Sequence, residues 1–199
     1  SCSSLVEDGS YVIANASKNL KVLTSSNGNI QLNSFDNIAS QKFQISYIED
    51  GYYKITDSGT GKVLEVAGGS SSAKANLQEG NWDGSDKQLW KFIKPSSGTF
   101  MIQSKLGTVI DVDNGELSEN RNVQLFSANG SVAQKWVLKA DWAAYEGGKN
   151  IENGTYYINS SLGNNQVLDI DNGSMENKAN VQTCAKNGTS AQRFEVLYV

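Results

Sequence analysis

Histidine is absent from the 199 residues. Catalysis through an imidazole base, as in Ser-His-Asp or Cys-His arrangements, is therefore excluded, and imidazole metal sites go with it. Cysteine is nearly absent: Cys2 and Cys184 are the only two. Two thiolates do not make a structural zinc centre. What remains is a single disulfide, a pair between chains, or two free thiols. Runs of Lys or Arg are missing and the formal net charge is −4, so neither nucleic acid nor an anionic membrane is an expected partner. No apolar stretch approaches the ~18 residues of a spanning helix, and no membrane insertion is expected.

What is present is a repeat. Asn29-Ile30-Gln31 is followed by Gln41-Lys42-Phe43, Asn76-Leu77-Gln78 by Gln88-Leu89-Trp90, Asn122-Val123-Gln124 by Gln134-Lys135-Trp136, and Asn180-Val181-Gln182 by Gln192-Arg193-Phe194. The first Asn and the second Gln stand 12 residues apart in all four copies. A fixed spacing held four times marks an internal repeat, which governs the fold.

Each copy opens with Gly-x-aromatic-x-Ile: Gly9, Tyr11, Ile13; Gly51, Tyr53, Ile55; Gly98, Phe100, Ile102; Gly154, Tyr156, Ile158. Period-2 alternation of this kind predicts a short strand. A second strand is predicted at Val22-Leu23, Val63-Leu64, Val109-Ile110 and Val167-Leu168, and a third at Asn-x-Gln. The fourth is Gln-x-aromatic, with Phe43, Trp90, Trp136 and Phe194 as core residues. Turns such as Asn129-Gly130 and Asn187-Gly188 separate the last two strands. The chain is predicted all-β, four short strands to a unit.

These four Gln-x-aromatic motifs, with the strands Leu64-Glu65-Val66, Ile110-Asp111-Val112 and Leu168-Asp169-Ile170 upstream, resemble the ricin B-chain type of β-trefoil lectin, close to the family 13 carbohydrate-binding modules. The resemblance spans roughly residues 8–199. It implies that three units close a six-stranded barrel capped by three hairpins, which leaves no open sheet edge. Four copies exceed three, and the spacing shows where. From the last Gln of a copy to the next Gly runs 10, 10 and then 20 residues. The expected organisation is a β-trefoil over 5–140 (repeats 5–50, 51–97 and 98–140), a linker over 141–152, and an orphan fourth trefoil repeat over 153–199. That last repeat either opens a second trefoil, completes a barrel with another chain as a homodimer, or packs on the first with Trp142 and Tyr145 as filling. Its Tyr156, Ile158, Leu168, Val181 and Phe194 are expected to need burial.

Sugar recognition needs an aromatic ring against the C–H face of a pyranose and planar polar groups for its hydroxyls. The resemblance implies an acid on the second strand and a ring fifteen residues later. That spacing gives Asp111 with Phe126, Glu65 with Gly80, and Asp169 with Cys184, while the first repeat, six residues shorter there, has Thr24 and Asn33. The third repeat keeps the full set, with Gln124 and Asn129 as polar neighbours. In the second, Trp82 falls on the face of Gly80 if that strand continues and would then stack beside Glu65. The fourth has Asp169 and Asn187 without a ring. Where the family often has Asn before the motif Gln, this chain has Ser40, Lys87, Ala133 and Ala191. Simpler roles stand alongside: Phe126 as rim or core packing, Asp111 as a turn cap, and Gln41, Gln88, Gln134 and Gln192 as structural ties between turn and barrel.

Two strings, Asp111 to Gly115 and Asp169 to Gly173, look like the opening of a calcium loop, but the glycine comes one place early and the final acid is missing. No metal and no cofactor is expected. The resemblance implies a non-catalytic carbohydrate-binding module of a secreted or cell-surface protein, of the bacterial surface-protein type. The alternative is a structural or protein-binding trefoil with decayed sugar sites. Paired carboxylates could hydrolyse glycosides, but no convergent pair is visible, and no enzyme is expected. An extracellular setting would favour a Cys2–Cys184 bridge.

Overall fold

The computed structural model describes residues 6–96, 98–140, 154–160 and 166–196. The linker segment 141–152, with Trp142 and Tyr145, lies outside the described residues, and so does Cys2. The chain divides into two compact units, Ser1–Ala144 and Tyr145–Val199.

The alternating patterns fold as they read. In the first unit Gly-x-aromatic-x-Ile forms β1 (Gly9–Asn15), β5 (Tyr52–Asp57) and β9 (Thr99–Ser104). The Gln-x-aromatic strands are β4 (Phe43–Glu49), β8 (Trp90–Ser96) and β12 (Trp136–Lys139). These six pair in a closed cycle, β1 with β4, β4 with β5, β5 with β8, β8 with β9, β9 with β12 and β12 with β1. Closure leaves no edge strand in the barrel. Ile13, Phe43, Ile55, Trp90, Ile102 and Trp136 are fully buried inside. Each indole also donates inward, Trp90 Nε1 to the Leu64 carbonyl and Trp136 Nε1 to the Ile110 carbonyl, both at 3.2 Å. A buried ring thus keeps its one polar atom satisfied.

Three hairpins cap the barrel: β2 (Val22–Ser26) with β3 (Asn29–Asn33), β6 (Val63–Val66) with β7 (Leu77–Gly80), and β10 (Val109–Val112) with β11 (Arg121–Phe126). The architecture is a β-trefoil. The repeated Asn of the Asn-x-Gln motif joins the hairpins. Asn29 Nδ2 donates to Asn122 Oδ1 (3.0 Å), Asn122 to Asn76 (2.9 Å) and Asn76 to Asn29 (2.8 Å). Three amides close one hydrogen-bonded ring, a role that the sequence reading left unassigned.

The motif glutamines do what their spacing suggests. Each accepts from a backbone N–H five residues upstream (Asp36, Asp83, Asn129, Asn187, all 2.8 Å) and donates to a carbonyl seven residues upstream. All four are fully buried.

The second unit holds β13 (Gly154–Tyr156), β14 (Gln166–Ile170), β15 (Val181–Ala185) and β16 (Phe194–Val196). First pairs with fourth and second with third, as within each repeat of the barrel. The expected burial is only partly met here. Val167 is buried, but Ile158 is 43% and Val181 53% exposed, and Phe194 is half-buried. Their counterparts Ile13 and Ile30 are fully buried because two further repeats roof them.

Candidate functional site

The third repeat brings its predicted residues together. Asp111 on β10 is 5% exposed, and β10–β11 pairing sets it opposite Gln124. Its Oδ1 accepts from Gln124 Nε2 (3.1 Å) and its Oδ2 from Gln134 Nε2 (2.9 Å). The carboxylate is thus oriented by two amides, and these bonds are not those of a turn cap. Phe126 at the end of β11 is half-buried. Asp111, Gln124, Phe126 and Asn129 all line one cavity of about 460 Å³, with Asn114, Ser131, Val132 and Lys74. Lys74 was not predicted. It belongs to the second repeat, and no signal within the third could have named it.

Gln134 therefore has two tasks. It ties the turn to the barrel and it fixes the acid. Asn129 gives its backbone N–H to Gln134 and takes the Ser131 N–H on Oδ1 (2.9 Å), which fixes its side chain at the cavity wall. The adjoining calcium-like string is a turn, in which Asp113 pairs with Arg121 (2.7 Å). Among the described residues no cluster of three metal-ligating side chains occurs.

The second repeat is built differently. Glu65 is held by Gln78 (3.0 Å), Gln88 (2.9 Å) and Lys87 (3.3 Å). Burial works to raise this carboxyl, but those hydrogen bonds outweigh it and keep it below its ordinary value. A Cβ on Gly80 would lie 2.3 Å from the Glu65 carboxyl. The longer acid fills the volume that a ring would need, so Glu65 and Gly80 form a matched substitution. The strand ends at Gly80, and the condition for Trp82 is not met. Trp82 stands in the following loop, 41% exposed, with the Lys54 ammonium 5.0 Å from its ring. Neither Glu65 nor Trp82 lines the repeat's cavity by Lys87 and Leu106.

In the first repeat the place is filled. Thr24 and Asn33 hold the acid and ring positions, and Glu119 of the third repeat reaches across to them. Its carboxylate accepts from Ser34 N (3.1 Å), Asn33 Nδ2 (3.1 Å) and Lys21. Lys21 and then Ser34 pull this carboxyl down to about 2. Beside it Asn120 Oδ1 accepts from Asn33 (2.8 Å) and Gln31 (3.0 Å).

In the fourth repeat Asp169 is buried opposite Gln182, but Gln182 turns to Asp171 (3.3 Å) instead. Asn187 Oδ1 accepts from Thr189 N (3.0 Å). Cys184 is half-buried on β15, and the pairing with Cys2 lies outside the described residues.

One pair of carboxyls does converge, contrary to the sequence reading. Asp57 at the end of β5 is fully buried, and Asp57 Oδ2 and Glu79 Oε1 are both buried without a hydrogen-bond partner. Glu79 is pushed up to about 7, by burial first and by Asp57 next. A fully buried Asp57 cannot reach a glycosidic bond, so the pair does not have the open flanking geometry that glycoside hydrolysis requires.

Known proteins agree with this geometry. The model of the ricin-type beta-trefoil lectin domain-like family matches residues 39–126. The designed 3-fold symmetric protein ThreeFoil is 29% identical, with a TM-score of 0.64 over 67% of this chain and 99% of its own. A mosquitocidal holotoxin is 21% identical with a TM-score of 0.63. The match covers 98% of this chain but only 24% of the toxin. The Macrolepiota procera ricin B-like lectin, solved in complex with lactose, is 18% identical with a TM-score of 0.61 over 68% of this chain and 99% of its own. At 21% and 18% identity these two likenesses speak for the fold alone. No curated protein matches the sequence. The closed barrel of the first unit is a β-trefoil, and residues 39–126 within it are similar to the ricin-type beta-trefoil lectin domain-like family.

Proposed function

We propose that the chain is a non-catalytic carbohydrate-binding module of a secreted or cell-surface protein, working through the third-repeat cavity. The observation that carries this reading is the convergence of Asp111, Gln124, Phe126 and Asn129 on one cavity. Asp111, oriented by two amides, accepts from sugar hydroxyls, and Phe126 stacks on the apolar face. The similarity of residues 39–126 to the ricin-type lectin domain-like family supports the ligand class. An open site buries little of a ligand, so affinity per site is weak, and copies displayed together gain by avidity. A glycan array with the whole chain tests the reading, with Phe126→Ala and Asp111→Ala as controls. Binding that survives both substitutions sinks it.

A second reading, a protein-binding trefoil with decayed sugar sites, draws on Glu119 occupying the first site and Glu65 filling the second. Silence on the array with retained folding favours it. For the second unit we propose self-association. Exposed Ile158 and Val181 support it, and a homodimer on sizing chromatography is the expected result.

A further inference from the structure

Two of the three hairpins reach into a neighbour's site. The loop ahead of β7 crosses to the third repeat, where Lys74 N donates to the Leu125 carbonyl and Leu125 N to the Ala75 carbonyl, both at 2.8 Å. The loop ahead of β11 crosses in the same sense to the first repeat, where β11 itself pairs Asn122 with Gln31. Lys74 and Asn120 stand two residues ahead of the ring asparagines Asn76 and Asn122, and both have left-handed backbone, φ 68° and 59°. They are equivalent positions.

What Asn120 touches shows what that position addresses. It bonds Asn33 and Gln31, which hold in the first repeat the places of Phe126 and Gln124. Lys74 accordingly stands at the wall of the third site, beside the ring and the strand amide, where it lines the cavity. Its neighbour Ala73 corresponds to Glu119. The third repeat's loop thus fills the first site with a carboxylate, while the second repeat's loop leaves the third site open and offers an ammonium.

That ammonium is uncommitted. Lys74 is exposed and has no salt bridge among the described residues, where Lys21, Lys87, Lys105 and Arg121 are each paired. Both oxygens of Asp111 are already bonded to amides. The first site gives an internal precedent for the ligand chemistry: the carboxylate of Glu119 is held there by Lys21, Ser34 and Asn33.

We propose that the third-repeat site selects an acidic sugar, whose carboxylate or sulfate faces Lys74 while its pyranose lies on Phe126. This rests on the reading of that cavity as a sugar site. A single charge contact at such a wall is expected to favour the anionic ligand about fivefold to tenfold, with the preference shrinking as salt rises.

The test titrates the whole chain with lactose, 3′-sialyllactose, 6′-sialyllactose and 3′-sulfolactose, at low and at physiological salt. The sialylated and sulfated arms separate a carboxylate from a sulfate. The wild-type protein should prefer at least one anionic member over lactose. Lys74→Gln should bring that ratio close to one, and Lys74→Arg should keep it. A wild-type ratio at or below one, or a ratio that Lys74→Gln leaves in place, overturns the inference while the sugar site stands. If no ligand binds, or if Phe126→Ala binds as wild type does, the sugar site itself falls, and the inference with it.

Discussion

Replacing Asp57 by Asn should make the barrel more stable in mild alkali. Asp57 and Glu79 present two buried, unpartnered carboxyl oxygens to each other, and Glu79 is raised from 4.5 to about 7. A folded value above the unfolded one means that the folded protein binds the extra proton. Stability from this group is therefore full below pH ~4.5 and is lost as pH rises through about 7. At 1.36 kcal/mol per pH unit the complete loss would be roughly 3 kcal/mol, and solvent at the half-buried Glu79 reduces it to ~1–3 kcal/mol. The first repeat shows what an amide does at this position. Asn15 ends β1 as Asp57 ends β5, and its Nδ2 donates to the carbonyls of Val132 (2.9 Å) and Lys135 (3.3 Å). The D57N variant removes only the Asp57 share of that loss, so it should match wild type at pH 5 and exceed it by about 1 kcal/mol at pH 8. Urea denaturation at the two pH values, followed by tryptophan fluorescence, measures both. No imidazole titrates in that window to confuse the result. Wild-type stability that is flat between pH 5 and 8, or a variant less stable at pH 8, would refute the raised Glu79 carboxyl.

Phe126→Ala and Asp111→Ala should each weaken sugar binding by ~1–3 kcal/mol, through lost stacking or a lost charge-assisted hydrogen bond, with the fold intact by circular dichroism. Trp136→Ala should lower stability by ~3–5 kcal/mol, because a fully buried ring leaves a cavity. Asn33→Ala, on the surface network with Glu119, should cost under ~1 kcal/mol, and denaturant midpoints in the opposite order would refute the repeat alignment. Thiol titration in denaturant, with mass analysis before and after reduction, should decide the cysteines. A Cys2–Cys184 bridge would contribute roughly 5 kcal/mol in the chain-entropy model, while two titratable thiols would remove it.

Strand positions and the work of the four glutamines were legible because each depends on residues within one repeat, and the closed barrel followed from the family resemblance. The period of two and the 12-residue spacing carry that information locally. The side-chain contacts that cross between repeats were hidden. Glu119 fills a site whose other residues lie some 85 positions earlier, and Lys74 joins a cavity otherwise built by its neighbour. Asp57 and Glu79 meet although they belong to separate strands of their repeat, and neither has a partner in sequence that would announce it. Trp82 failed for a simpler reason. The predicted face assumed a strand that stops at Gly80, where Glu65 occupies the volume.

The asparagine ring has a sense of rotation: every member gives one hydrogen bond and takes one, always in the same direction. A cycle of this kind has no first member. Nor has the barrel, since β1 and β12 lie paired like any other neighbours. The starting point of the trefoil is thus a matter of gene order and leaves no mark on its geometry. A circularly permuted version, opened between β4 and β5 and joined between β12 and β1, would keep every contact of the ring. The same cycle counts. With three amides it is closed.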